Sequence, residues 1–294
     1  MRPALKPVDL LSIVFIALLA IVTLVSLSVV SNWPQFIFKY SVFALIIISL
    51  AALDRNTSGR TFVNILHAFI PIVIIILVFN SLGELIPRIR HQYYDNDLIR
   101  IDYALFGAHP TVWMERFNTV LLTGLLQIAY ISYYFMPIAL GTFLFLKKKQ
   151  YEFDSAVFTI CLCFYLSYIG YLLVPAVGPR FTLNQVQTME LQTGPLSQWI
   201  QSTLDGLEQN KTDAFPSGHT AVALVSLFYA WKYREKVLFW ILVPAVSALI
   251  VSTVYLRYHY VVDVIAGVLL AALTILIAPK TYRLFSGSAG RPQG

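Results

Sequence analysis

The sequence predicts an all-α, polytopic membrane protein with about eight transmembrane helices, and three observations carry that prediction. Of its 294 residues, 58% are hydrophobic and 12% are charged, whereas a soluble domain carries roughly 25% charged residues. Mean hydropathy is +0.71, which excludes an ordinary water-soluble globule. The apolar residues also gather into runs near the ~20 residues that a helix needs to span hydrocarbon. Disorder is excluded by the 20 Phe, 17 Tyr and 5 Trp, because chains that stay unfolded are poor in such groups. The net charge of +6 sits in short loops beside apolar runs. No basic helix or basic-aromatic alternation accompanies it, so a nucleic-acid partner is not expected.

The first run, 10–30, follows Arg2 and Lys6 as a secretion signal would. It is too long for a signal core and no small-x-small cleavage pattern follows it, so it reads as a retained helix. Runs at 38–53, 62–82, 118–146, 154–174, 219–233, 237–255 and 259–278 complete the eight spans. Residues 1–60 then hold two additional N-terminal helices, 61–280 a six-helix core and 281–294 a cytoplasmic tail that reads as disordered after Phe285. Lys147-Lys148-Lys149 and the Lys232, Arg234, Lys236 group lie in short loops at span ends, where excess positive charge marks the cytoplasmic side. Both termini are accordingly expected in the cytoplasm. Cys161 and Cys163 are two apart in one helix, point to different sides and read as packing residues.

Two outer segments are too structured to be plain connectors. Residues 83–117 mix Asp95, Asp97 and Asp102 with Ile99, Ile101, Leu105, Phe106 and Trp113, which suits either a helix lying in the membrane interface or a folded linker. Residues 175–216 are polar between their ends and read as a lid over the outer face.

Under this topology Arg180, His219, Arg257, His259 and Asp263 share one membrane depth at the outer boundary. His259 and Asp263, four apart at a helix start, fall on one face. A carboxylate there would fix the imidazole tautomer and leave the other nitrogen as nucleophile or base. Pro216-Ser217-Gly218-His219 reads as a helix start, with Ser217 near the cap and Gly218 allowing close backbone approach. Such a start attracts phosphate oxygens, and His219, one turn in, is placed to pass a proton. Arg180 and Arg257 would supply the fixed positive charge that a phosphoryl group requires.

The order Gly178-Pro179-Arg180, Pro216-Ser217-Gly218-His219 and His259-Tyr260-Val261-Val262-Asp263 resembles the type 2 phosphatidic acid phosphatase superfamily of membrane lipid phosphatases and phosphotransferases. The resemblance runs from about Phe62 to Ala278, the six-helix catalytic core. It implies that His259 attacks phosphorus and forms a phosphohistidine, that Asp263 orients it, and that His219 protonates the leaving group and then activates the acceptor. It also implies that Arg180, Ser217 and the Gly218 backbone hold the phosphoryl oxygens, with no metal and no cofactor. Two cations usual in the family are replaced here: Leu173 stands for the first-motif Lys and Thr253 for the third-motif Arg, while Phe181 follows Arg180 where Pro is usual. Arg257 is the expected substitute cation. The third motif, and the stretch Asp97 to Gly107, look like the branch similar to inositol phosphorylceramide synthase.

The expected function is therefore an integral membrane enzyme acting on a lipid phosphate or phospholipid at the outer membrane face. Hydrolysis and transfer stay open: water as acceptor gives a phosphatase, whereas a lipid or polyol acceptor gives a headgroup transferase making a new phosphodiester. Two other readings use the same residues. One is a proton-coupled transporter with His219, His259 and Asp263 as a relay, and the other is a zinc site formed by the two histidines and the aspartate.

Overall fold

A computed structural model of the protein describes residues 5–56, 62–207 and 210–286. Among them are α1 (Pro7–Val25), α2 (Trp33–Asn56) and α3 (Phe62–Ile89), then the shorter α4 (Asp95–Phe106) and α5 (Pro110–Trp113). A single crossing is built from α6 (Val120–Ile131) and α7 (Phe135–Leu146), joined by a 3₁₀ turn at Ser132–Tyr134, and α8 (Gln150–Leu173) follows. The loop beyond it carries α9 (Pro179–Thr182) and α10 (Pro195–Leu207), and the chain finishes with α11 (Gly218–Lys232), α12 (Lys236–Tyr255) and α13 (Val261–Ser286). The described residues contain no strand.

Among the described residues, seven stretches are long and apolar enough to cross a membrane, one fewer than the eight expected. The difference is α11, whose 15 residues span about 22 Å at 1.5 Å each, short of the ~30 Å hydrocarbon core. Its Ala221, Val222, Ala223, Val225 and Ala230 have no exposed surface. Small residues let α8, α12 and α13 close around it, so α11 is walled by protein and need not match the lipid thickness.

The bundle has two packing clusters and α8 belongs to both. It packs against α7 and α11 in one cluster, against α1 and α3 in the other, and against α13. The two N-terminal helices are attached by Phe15 stacked on Tyr165 at 4.4 Å, Tyr165 Oη donating to Ser12 Oγ at 2.8 Å and Ser81 Oγ donating to Tyr40 Oη at 3.1 Å. Interhelical hydrogen bonds of this kind contribute ~0.6 kcal/mol each. A stronger tie is the buried cluster at the starts of α1 and α3 and the end of α2. There His67 Nδ1 lies 2.7 Å from Asp54 Oδ2 and His67 Nε2 lies 3.0 Å from Asp9 Oδ2.

At the same end of the bundle, Lys147 and Lys149 reach Glu235 at 2.5 and 2.7 Å, so the two basic loops meet. Tyr151 of α8 lies 6.2 Å from Tyr282 near the end of α13, which brings the last described turn to that end too. From residue 287 onward the expected disordered tail lies outside the described residues, as do residues 1–4 and 57–61.

The interfacial segment begins later than expected, because α3 continues to Ile89. Its main helix, α4, turns Asp95, Leu98 and Asp102 inward and leaves Ile101, Tyr103, Leu105 and Phe106 about half exposed. Asp95 and Asp102 point to protein, whereas Asp97 and these four apolar or aromatic groups point away.

Replacing His67 with Ala leaves two buried carboxylates without their shared partner, and breaking a buried ionic contact costs roughly 3–5 kcal/mol. The expected result is a clear fall in the melting temperature of the detergent-purified protein.

Candidate active site

Three loops at the end of the bundle opposite Glu235 come together, and backbone hydrogen bonds join them. The loop after α8 binds the loop before α11 through Ala214 N–H to Ala176 O at 3.1 Å. It binds the turn after α12 through Arg180 N–H to Arg257 O at 2.8 Å, and Ser217 N–H reaches Asp263 O at 3.0 Å. Gly178 is required at its place, because φ is +88° and a Cβ would lie 2.4 Å from Tyr258 O.

The arrangement puts His219 Nδ1 3.2 Å from His259 Nε2, with both rings buried at 7% and 2% exposure. The expected Asp263 contact is the longer of two at His259 Nδ1. The carbonyl oxygen of Ala214 lies 2.7 Å from that nitrogen, whereas Asp263 Oδ2 is at 3.5 Å. A carbonyl only accepts, so Nδ1 carries the proton and Nε2 faces His219 with its lone pair. Asp263 Oδ2 instead accepts from Tyr260 N–H at 2.8 Å, capping the start of α13.

The other expected ligands divide. Arg180 lines a small polar cavity with His219, His259, Tyr258, Lys211 and Asp213. Arg257 is bound elsewhere: its guanidinium donates to Glu115 at 2.8 Å, Gln187 Oε1 at 3.0 Å and Met189 O at 2.6 Å. Burial lowers its pKa from the usual guanidinium value, with Glu115 opposing that shift. Arg257 also has φ +67°, an uncommon conformation for a residue with a Cβ, and these contacts hold it there. In place of a phosphate ligand, the structure has a side chain that fastens the 187–189 loop to the turn before His259.

Ser217 and Gly218 likewise serve the helix start. Ser217 Oγ accepts from Thr220 N–H at 3.3 Å, and a Cβ on Gly218 would lie 2.4 Å from Tyr171 Oη. The residue's smallness thus accommodates a tyrosine.

Several contributors were not singled out from the sequence. Asp95 accepts from Val177 N–H and Gly178 N–H at 3.1 and 2.9 Å and from Tyr260 Oη at 2.9 Å. Asp102 accepts from Val261 N–H and Val262 N–H at 2.9 and 2.8 Å, at the first turn of α13. The two aspartates, two helical turns apart on α4, thus clamp the first and third motif loops. Only their position within a mixed polar-apolar segment hinted at this. Tyr133 and Tyr130 pack on His219 with ring centroids 4.3 and 4.8 Å away, and Tyr258 stacks on Tyr130 at 4.3 Å.

A second, larger cavity of about 350 Å³ opens beside His219 and Asp213. It runs between α3, α7 and α8, past Ile72, Phe79, Pro137, Ile138, Val157 and Phe164. Its walls are apolar, and its polar end is formed by His219 and Asp213. Among the described residues, no three His, Cys, Asp or Glu side chains are grouped to hold a metal ion.

The sequence profile described as PAP2 superfamily matches residues 96–277, more than half of the chain. The chain belongs to the PAP2 superfamily. A PA-phosphatase related-family protein of Dictyostelium discoideum is 28% identical over 189 residues, covering 56% of this chain and 33% of that protein. The chain therefore spans about a third of the length of that relative. No solved structure gives a significant match. The seven membrane-length helices among the described residues accompany that membership. The PAP2 match begins after α3, so the helix that walls one side of the apolar cavity precedes it.

Asp102→Ala removes both side-chain acceptors from the start of α13, and losing a cap of this kind costs about 1–2 kcal/mol. Burial raises the Asp102 carboxyl above the usual range, against the pull of the two amides and His109. A raised folded-state value means this group favours folding most at pH below its unfolded value. That share is lost as pH rises through the folded value. Asp102→Asn cannot ionise, so its melting temperature should lack that pH-dependent component in a comparison of titrations.

Proposed function

We propose that this chain is a lipid phosphatase or phosphotransferase that works through a phosphohistidine on His259 at the outer membrane face. The observation that carries the reading is the histidine pair, 3.2 Å apart: both rings line a polar cavity holding Arg180, and His219 stands at its junction with the apolar cavity. An amphiphile with a phosphorylated head and a hydrocarbon tail suits that junction.

In the proposed first step the lone pair of His259 Nε2 attacks phosphorus, and the bond from phosphorus to the leaving oxygen breaks. Protonated His219 gives its proton to that oxygen, so the alcohol departs neutral. As the imidazole ring gains positive charge, Asp263 Oδ2, 3.5 Å from Nδ1, and the Ala214 carbonyl stabilise it. Neutral His219 then takes a proton from the acceptor, the acceptor oxygen attacks phosphorus, and the P–N bond breaks to restore His259. Arg180 holds the phosphoryl oxygens throughout. Tyr130 and Tyr133 keep His219 in place, and Arg257 acts by positioning the turn before His259. With water as acceptor the product is free phosphate. With a lipid or polyol alcohol acceptor and a headgroup-bearing donor, it is a new phosphodiester, as in the inositol phosphorylceramide synthase-like branch.

Orientation follows from charge. The basic loops that meet at Glu235 occupy the cytoplasmic side under the positive-inside bias, which leaves the histidine pair outside and both termini inside.

The test is turnover of a panel of lipid phosphates and phospholipids by detergent-purified protein, with and without a lipid alcohol, following free phosphate and new lipid products. His259→Ala should abolish turnover and the acid-labile phosphoprotein trapped from labelled substrate. His219→Ala should slow turnover by roughly 10²–10⁴, the range for a lost general acid-base. Full turnover by His259→Ala would remove the proposed nucleophile.

A further inference from the structure

The polar cavity has a charge balance that Arg180 alone does not satisfy. Arg180 and Asp213 both line it, and one guanidinium offsets one carboxylate. A phosphate monoester brings nearly two negative charges at neutral pH, with a second pKa near ~6. The cavity needs another cation, and Arg257, the one sought in the sequence, is bound to Glu115, Gln187 and Met189.

Lys211 is the remaining cation in the lining. It is exposed, yet it sits between two buried residues, Asn210 and Thr212, at 1% and 3% exposure. The turn that carries it is held firmly. Asn210 Oδ1 accepts from Thr212 N–H at 2.9 Å and from Thr212 Oγ1 at 2.7 Å. The backbone of Asn210 presses on α3 so closely that a Cβ on Gly83 would lie 2.7 Å from Asn210 Cα. Three residues on, Ala214 accepts the His259 hydrogen bond. Lys211 is thus presented from the same stretch of backbone that orients the nucleophile. Among the described residues its ammonium makes no ion pair or side-chain hydrogen bond.

We propose that Lys211, which lines the cavity with Arg180 and the histidine pair, is the second phosphate-binding cation of this site and takes the charge that Leu173 and Thr253 do not carry. The assignment rests on the phosphoryl-transfer reading above. Lysine suits the position: a compact charge on a flexible stem follows a phosphoryl group as it moves between leaving oxygen, His259 and acceptor, while the planar fork of Arg180 fixes its orientation. With Lys211 the cavity carries net positive charge before His219 is protonated.

The experiment uses the full chain in detergent, with inorganic phosphate as the anion probe and a lipid phosphate as substrate. Lys211→Met should raise at least tenfold both the phosphate concentration that half-maximally stabilises the protein against heat and the phosphate inhibition constant. KM for the lipid phosphate should rise more than kcat falls, and Lys211→Arg should recover most of the loss. Lys236→Met, at the opposite end of the bundle, should change none of these. Unchanged phosphate affinity and KM in Lys211→Met would overturn the assignment, as would failure of phosphate to stabilise the unmodified protein. His259→Ala separates the two readings. If it is inactive while Lys211→Met binds phosphate normally, only the lysine assignment falls. If it turns over fully while Lys211→Met loses phosphate, the anion site stands and the phosphohistidine does not.

Discussion

A carbonyl oxygen can only accept a hydrogen bond, so the 2.7 Å contact between Ala214 O and His259 Nδ1 determines which imidazole nitrogen is left with its lone pair. Everything else at this end of the bundle serves that contact. Ala214 is itself held by its amide on Ala176 O, and the turn carrying His259 is held by Arg180 N–H on Arg257 O. Three pieces of chain distant in sequence thereby share one rigid frame made of main-chain groups. Side chains add charge and shape to a geometry the backbone has already set.

The frame needs support from outside, because loops between spans leave many amides without helical partners. Helix α4 supplies it with Asp95 and Asp102, whose oxygens take four main-chain N–H groups across two loops. An unpaired buried amide costs roughly 1–3 kcal/mol on mutational scales, so four of them outweigh any single helix contact in the region. This is why α4 places Asp95 and Asp102 toward protein and Ile101, Leu105 and Phe106 away from it. The reversal of the usual soluble pattern is a consequence of two demands met at once: amides to be satisfied inside and lipid outside.

Much of the architecture was legible because composition and run length depend on bulk solvent preference alone. The six long helical stretches after and including α2, together with α1, are visible from their apolar runs. The length rule misjudged α11, since a helix enclosed by protein is free of the lipid thickness. At the site, the sequence spacing pointed to His219, His259 and Arg180, which the fold does bring to one cavity. It pointed to Asp263 as the orienting group, but a main-chain oxygen has no signature in a sequence, and Ala214 lies closer. Arg257 was chosen for its nearness to His259 along the chain. Its φ of +67° turns the residue toward Glu115, which lies 142 positions away. Lys211 belongs to no motif, and only the fold brings it to the lining of that cavity. Tyr130 and Tyr133 were indistinguishable from packing residues in an apolar run.

The wall that α3 contributes to the apolar cavity, through Ile72, Ile76 and Phe79, stands before residue 96, where the shared family region begins. It is steadied by α1 and α2 through the Asp9, Asp54 and His67 cluster. Under the proposed function, the pocket for a hydrocarbon tail is thus shared between α3, ahead of the family region, and α7 and α8 within it. On that proposal, substitutions on the α3 wall alter the shape of the apolar cavity without touching His219 or His259.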